Sequence, residues 1–168
     1  MNIQFSWKAA LAPMHLVIAI GIFIVDQVTK LMVVKMIPLF DQIDLFPGFS
    51  FTHTKNKGAA FGMFHDSSWV FRLFFFGAVS VICLYLLLYW LGTTEKREKW
   101  QRVGLSLILG GALGNLLDRV IFGEVTDFLL AYYQQYRWPA FNIADTAISV
   151  GVTILILHFL PLRRKKPA

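Results

Sequence analysis

Four apolar runs, each near or beyond the length that crosses a bilayer, constrain this chain more than any motif within it. They lie at 9–25, continuing past Asp26 and Lys30 toward Ile37, then at 70–91 with Arg72 as the one interruption, at 103–122 and at 140–162. At a helical rise of about 1.5 Å per residue, roughly 20 residues span a hydrocarbon core. Of the 168 residues 57% are hydrophobic, more than the roughly 45–50% of soluble domains, and mean hydropathy is positive. The expected fold is an all-α membrane protein with four transmembrane helices, at about 12–36, 68–92, 100–122 and 140–162, in a single polytopic domain over residues 1–168. The first run has the basic end of a secretory signal in Lys8. No small-x-small cleavage site follows it and three further runs do, so it reads as a retained helix. The one cysteine, Cys83, falls inside the second run. That excludes an intrachain disulfide and a thiol-ligated metal, and leaves it as a small packed hydrophobe.

The formal charge of +6 is not spread over a face. It sits beside the runs: Lys8 before the first, Lys96, Arg97, Lys99 and Arg102 between the second and third, and Arg163, Arg164, Lys165 and Lys166 after the fourth. Clusters so placed read as membrane orientation, and no nucleic-acid partner is expected. By parity they share one side, which makes both termini cytoplasmic and leaves two outer loops, about 37–67 and 123–139. The first is long for a simple connection, which points to function. Its "FSFTHT" at 49–54 alternates apolar and polar residues as a short strand does, and "TKNKGAAFG" at 54–62 reads as a turn. In the second outer loop, "AYYQQYRW" at 131–138 suits an aromatic belt at headgroup level.

Parity also gathers the polar residues. Asp26 and Lys30 fall near the outer end of the first run, and Asn115, Asp118 and Arg119 near that of the third. Asn142 and Asp145 open the fourth run, again outside, while Asn56 and Asp127 belong to the outer loops. Taken singly, each group has a structural explanation. Asp26 and Lys30 are an i,i+4 ion pair, Gly110 and Gly114 are a small-xxx-small packing pattern, and Asn115, Asp118 and Arg119, on one face at i, i+3 and i+4, can tie helices together. Their coincidence at one depth is what marks a site, since ionisable groups inside spans are costly.

Several chemistries drop out on residue type. There is no H-E-x-x-H helix, no G-x-S-x-G elbow and no phosphate-cradling glycine loop. Ser106 and Ser149 have no Lys or His near them in the sequence, and His53 and His65 lack metal-ligand spacing, so no metal is expected. The carboxylates Asp26, Asp118, Asp127 and Asp145 remain. Asp26 has Lys30 one turn away and Asp118 has Arg119 beside it, and a cation partner keeps a carboxylate charged. Asp127 and Asp145 have no cation within four residues. Two such acids brought together share a proton and can activate water, so these two are the better dyad.

Five segments, "DQVTK" at 26–30, "NKGAAF" at 56–61, "GGALGNLLDR" at 110–119, "VTDF" at 125–128 and "FNIAD" at 141–145, resemble the motifs of bacterial lipoprotein signal peptidases, integral-membrane aspartic peptidases. They stand in the family's order over nearly the whole chain. The resemblance implies that Asp127 and Asp145 are catalytic, in agreement with the local charges. It implies that Asn56, Gly58, Asn115, Asp118, Arg119 and Asn142 surround the substrate or hold the dyad, and that Asp26 and Lys30 steady the site. It also implies a small β-cradle in the outer loops, a site near the outer leaflet of the bacterial cytoplasmic (inner) membrane, and no cofactor. The implied partners are membrane lipids and diacylglyceryl-modified prolipoproteins, cut before the lipidated cysteine by a monomeric enzyme. Two rival classes, a proton-coupled transporter component and a non-catalytic helical assembly factor, draw on the same intramembrane polar residues and glycines.

Overall fold

The computed structural model describes residues 5–57 and 68–160. A single helical turn, α1 (Trp7–Ala10), leads into α2 (Pro13–Met36), which opens on a proline whose missing N–H costs nothing at a first helical position. A hairpin follows, β1 (Gln42–Phe46) and β2 (Phe49–Asn56). Next come α3 (Trp69–Thr93), capped by the Ser68 hydroxyl, and α4 (Lys99–Phe122), which stops at Gly123 in the left-handed conformation. Two more strands, β3 (Val125–Tyr133) and β4 (Tyr136–Arg137), precede α5 (Ile143–Phe159).

Three of these helices are long and apolar enough to cross a membrane: α2, the part of α3 from Phe74 to Thr93, and α4. The fourth apolar run yields a helix of only 17 residues. It starts later than the expected 140 because Phe141 pairs with Leu129 and Asn142 is spent as the N-cap. Apolar side chains cover the outside of the bundle. Val17, Ile24, Val28 and Leu31 on α2 and Phe74, Val81, Ile82 and Leu86 on α3 are all exposed, as lipid-facing surfaces are. Cys83 shares that exposed face of α3 and is not packed inside.

The central helix is α4, and glycine lets its neighbours close on it. A Cβ at Gly110 would lie 2.6 Å from the Ala19 carbonyl of α2. A Cβ at Gly104 or Gly151 would lie 2.9 or 2.6 Å from the other's carbonyl across the α4–α5 seam, and one at Gly111 would meet the Ala144 carbonyl. Leu91, Leu105, Leu109 and Leu155 form the apolar core near the other end.

The four strands form one antiparallel sheet in the order β1-β2-β3-β4. The strand expected at 49–54 is present and runs on to Asn56. The segment 123–139, read from its residues as a loop with an interfacial aromatic connector, is mostly β-strand and joins the small sheet expected of the outer loops, and Asp127 lies within it. The period-2 pattern is masked there because both faces of β3 are covered. Phe128 packs on Val33, Ile37 and Phe51, while Asp127 on the other face is 3% exposed. Between Phe51 and Thr54 the β2–β3 register slips by one residue. Such a bulge re-aims the strand next to a site, and here it brings Asn56 opposite Val125 and within reach of Asp127.

Candidate active site

Two carboxylates meet through one amide. Asn142 caps α5: its Oδ1 accepts from the Asp145 N–H at 2.9 Å, and the Asp145 carboxylate accepts from the Asn142 N–H at 3.2 Å. This reciprocal capping box fixes Asp145 in the first turn of α5, where the helix end favours negative charge. The same Asn142 donates through Nδ2 to Asp127 Oδ1 at 2.7 Å. Asn56 Nδ2 donates to the other Asp127 oxygen at 3.1 Å, and Asn115 Nδ2 to Asp145 Oδ1 at 2.8 Å. All four carboxylate oxygens therefore accept a hydrogen bond from the protein. Burial, followed by the charge of Asp145, pushes the Asp127 carboxyl up to about 7, against the lowering effect of Asn56 and Asn142.

Behind the pair lies an ion cluster built on α2 and α4. Lys30 donates to three oxygens: Asp26 Oδ2 at 2.8 Å, Asn115 Oδ1 at 2.9 Å and Asp118 Oδ2 at 3.1 Å. Its ammonium has three hydrogens, so the donor count is filled. Each acceptor then reaches toward the dyad. Asp26 Oδ1 accepts from the Ala144 N–H at 2.9 Å, one residue before Asp145. Asp118 Oδ2 accepts from the Thr126 N–H at 3.1 Å, one residue before Asp127. Asn115 holds Asp145 directly. Lys30, Asp26 and Asp118 are all nearly inaccessible, and breaking a buried pair of this kind typically costs about 3–5 kcal/mol.

Of the residues singled out in the sequence, Asp26, Lys30, Asn56, Asn115, Asp118, Asp127, Asn142 and Asp145 come together in this one network. Gly58 lies outside the described residues, as does His65. Arg119 stands differently from its expectation: it donates to its own helix at the Asn115 carbonyl, 3.2 Å away, and lies over the Phe76 ring. The cation partner of Asp118 is accordingly Lys30 and not the adjacent Arg119. Arg119 is still close enough for its charge to act on Asp145 and Asp127.

Two residues escaped the sequence reading. Gln27, inside "DQVTK", donates to Asp26, to the Gly114 carbonyl and to Asp118 at 3.1, 3.2 and 3.1 Å. Thr126 supplies both the amide held by Asp118 and a carbonyl 3.3 Å from Asn142 Nδ2. Their signal was adjacency to charged residues in the same motifs. Elsewhere, at the other end of α2, His15 Nδ1 lies 3.0 Å from Ser106 Oγ, a contact that sequence distance concealed. The Ser106 hydroxyl donates to the Arg102 carbonyl at 2.8 Å, and His15 Nε2 has no hydrogen-bond partner among the described residues. Among the described residues no orienting acid completes a nucleophile there, so the pair reads as helix packing.

Apolar helices of membrane-crossing length, a small sheet packed at one end and a linked pair of aspartates, Asp127 buried and Asp145 partly so, define a membrane protein with the groups of an aspartic hydrolase. The chain belongs to the signal peptidase II family, whose profile matches residues 18–161. It is similar to the lipoprotein signal peptidase of Symbiobacterium thermophilum, 42% identical over 92% of this chain and 99% of that one. It is also similar to the lipoprotein signal peptidase of Aeromonas hydrophila, 40% identical over 98% of this chain and 93% of that one. A solved bacterial membrane enzyme superposes with a TM-score of 0.81 at 30% identity, over 100% of this chain and 99% of that one. A second gives 0.80 at 31%, over 96% and 99%.

Proposed function

We propose that Asp127 and Asp145 are the catalytic dyad of this membrane peptidase, with Asp127 as the resting acid and Asp145 as the base. As a member of its family the chain is an aspartic peptidase that removes signal peptides from prolipoproteins. The observation that carries the assignment is the Asn142 bridge, which puts both carboxylates in one network while Asp127 holds a proton up to about 7.

In the first step Asp145 takes a proton from water as the water oxygen attacks the scissile carbonyl carbon. Asp127 gives its proton to the carbonyl oxygen, and a gem-diol forms. In the second step the C–N bond breaks. Asp145 passes its proton to the departing amine, and one diol hydroxyl returns a proton to Asp127. One water is consumed, both carboxyls regain their starting states, and no covalent acyl-enzyme intervenes.

α5 completes four spans as a single polytopic domain, both termini face the cytoplasm, and the dyad sits near the outer leaflet of the bacterial cytoplasmic membrane. Supporting it, the basic clusters fall at alternate ends of the runs, and the buried ionisable network lies where α2, α4 and α5 meet the sheet. An apolar cleft of about 440 Å³ between α2 and the sheet, lined by Met32, Met36, Phe51, Phe128 and Ile143, offers a seat for the acyl chains of a diacylglyceryl substrate. Phe128, in its wall, follows Asp127 in the chain. Monomeric enzyme acting on lipid-delivered precursor is sufficient for the scheme.

The test is purified protein in vesicles given a lipidated precursor peptide. Asp127→Asn and Asp145→Asn should each lower signal-peptide release by at least about 10³-fold with the thermal unfolding transition retained. Turnover within tenfold of the parent in either variant sinks the dyad.

A further inference from the structure

The ion cluster behind the dyad carries an imbalance at contact distance: Asp26 and Asp118 share one ammonium, Lys30, while Arg119 acts on Asp118 through its charge and not as a salt-bridge partner among the described residues. Asp26, Asp118 and Lys30 are buried, so the charge not paired in contact has little water to solvate it. Lys30 spends its hydrogens on Asp26 Oδ2, Asp118 Oδ2 and Asn115 Oδ1. Asp26 Oδ1 and Asp118 Oδ2 are further served by the amides of Ala144 and Thr126. The oxygen left over is Asp118 Oδ1. Among the described residues its hydrogen-bond donor is the Gln27 side chain, at 3.1 Å.

We infer that Gln27 is a positioning residue for catalysis, acting on Asp127 through Asp118 and the Thr126 amide. The inference rests on the dyad reading above. One amide nitrogen with two hydrogens faces Asp26 Oδ2, the Gly114 carbonyl and Asp118 Oδ1, so it ties α2 to α4 and neutralises no charge in doing so. With Oδ1 held, the Asp118 carboxylate keeps its plane, and Oδ2 stays aimed at the Thr126 N–H at 3.1 Å. That bond fixes the β3 backbone one residue before Asp127. Thr126 is anchored a second time by Lys55, whose ammonium donates to its hydroxyl at 2.9 Å. Gln27 also stands on the open side of the cluster. It lines, with Lys30, Asp118, Lys55 and Phe122, a cleft of about 320 Å³ to which neither Asp127 nor Asp145 contributes. Loss of its amide leaves a buried carboxylate oxygen without a donor. The carboxylate then turns toward the cleft for water, and the Thr126 amide loses its partner.

A glutamine in this place is a shape and donor requirement, not a charge requirement. The substitution Gln27→Glu would set a third carboxylate against two, and Gln27→Leu would fill the volume and supply no hydrogen bond.

The test compares Gln27→Leu and Gln27→Met in vesicles with the lipidated precursor peptide, alone and combined with Asp118→Asn. Each single variant should lower kcat about tenfold with KM within twofold, because the substrate-facing surface is untouched while the acid is misplaced. In the Asp118→Asn background the same Gln27 substitutions should cost less than twofold, since the oxygen that Gln27 serves has become an amide that needs no donor. A structural role alone predicts a different pattern: kcat per folded molecule unchanged, the unfolding temperature lowered, and the effect additive with Asp118→Asn. Parental kcat in Gln27→Leu, or additivity in the double variant, overturns the inference. Loss of the dyad assignment itself would show separately, as turnover within tenfold of the parent in Asp127→Asn.

Discussion

Replacing Asp127 by asparagine should remove activity and, above neutral pH, make the fold more stable. The sign follows from linkage. The Asp127 carboxyl is raised from an ordinary 3.8 to about 7, first by burial and then by the charge of Asp145. Between those values the native protein holds a proton that the unfolded chain has released. Stability linked to this group is therefore fully present below the unfolded value and lost as pH rises through the folded one. A span of about three pH units at about 1.4 kcal/mol each gives a total near 4 kcal/mol. About 3 kcal/mol of that falls between pH 5 and pH 8.

Asparagine does not titrate, so the slope disappears in the variant. It brings a cost of its own, because its amide hydrogens must face Asn56 Nδ2 or Asn142 Nδ2, both of which donate to the parental carboxylate. An unmade buried hydrogen bond costs about 1–3 kcal/mol. By pH 5 the parent has already lost about 1.7 kcal/mol of this stability, close to the cost of the asparagine, so the two should unfold at similar temperatures there, and at pH 8 the variant should unfold at the higher one. For a chain of this size about 1 kcal/mol moves the transition by roughly 2–4 °C. The parent-minus-variant difference should then move by about 8 °C between the two conditions. Thermal unfolding in one detergent at both pH values reads it directly. A difference that stays constant with pH would refute the reasoning, because it would mean that no proton is linked to this carboxyl in that range.

Two further substitutions probe the frame. Lys30→Met leaves Asp26 and Asp118 buried without their cation and should cost about 3–5 kcal/mol, read as an unfolding temperature lowered by about 10 °C; a loss of under about 2 °C would show that the cluster is solvated. Gly114→Ala places a methyl 2.5 Å from Asp26 Oδ2, so it should destabilise by about 1–3 kcal/mol and reduce peptide release. Gly21→Ala, with nothing within 4 Å of the added atom, should be neutral or slightly stabilising in the same assays; equal effects at the two positions would contradict the close α2–α4 approach.

What the sequence made legible was what local physics writes into it. Run length announced the helices, and the absence of nearby cations separated Asp127 and Asp145 from Asp26 and Asp118. The first pattern survives because lipid and core both demand apolar residues, and the second because a buried charge needs its partner within a few ångströms. Local reading failed where a residue takes its surroundings from another element. Asp118 was credited with its chain neighbour Arg119, yet consecutive helical residues point apart, and its cation comes from α2. The 125–133 segment showed no clean alternation because one face meets the Val33–Ile37 cluster and the other the polar site, so both faces read as buried. Gln27 was missed for a related reason. A neutral amide beside an Asp–Lys pair looks like ordinary helix surface until the contacts are counted in space and two carboxylates are found on one ammonium. The proposed dyad is thus the part of the site that shows in the sequence, while the residues that hold it in register are defined by pairings between helices. For that reason a variant at Gln27, two elements away from Asp127, tests the architecture more sharply than one at the aspartates themselves.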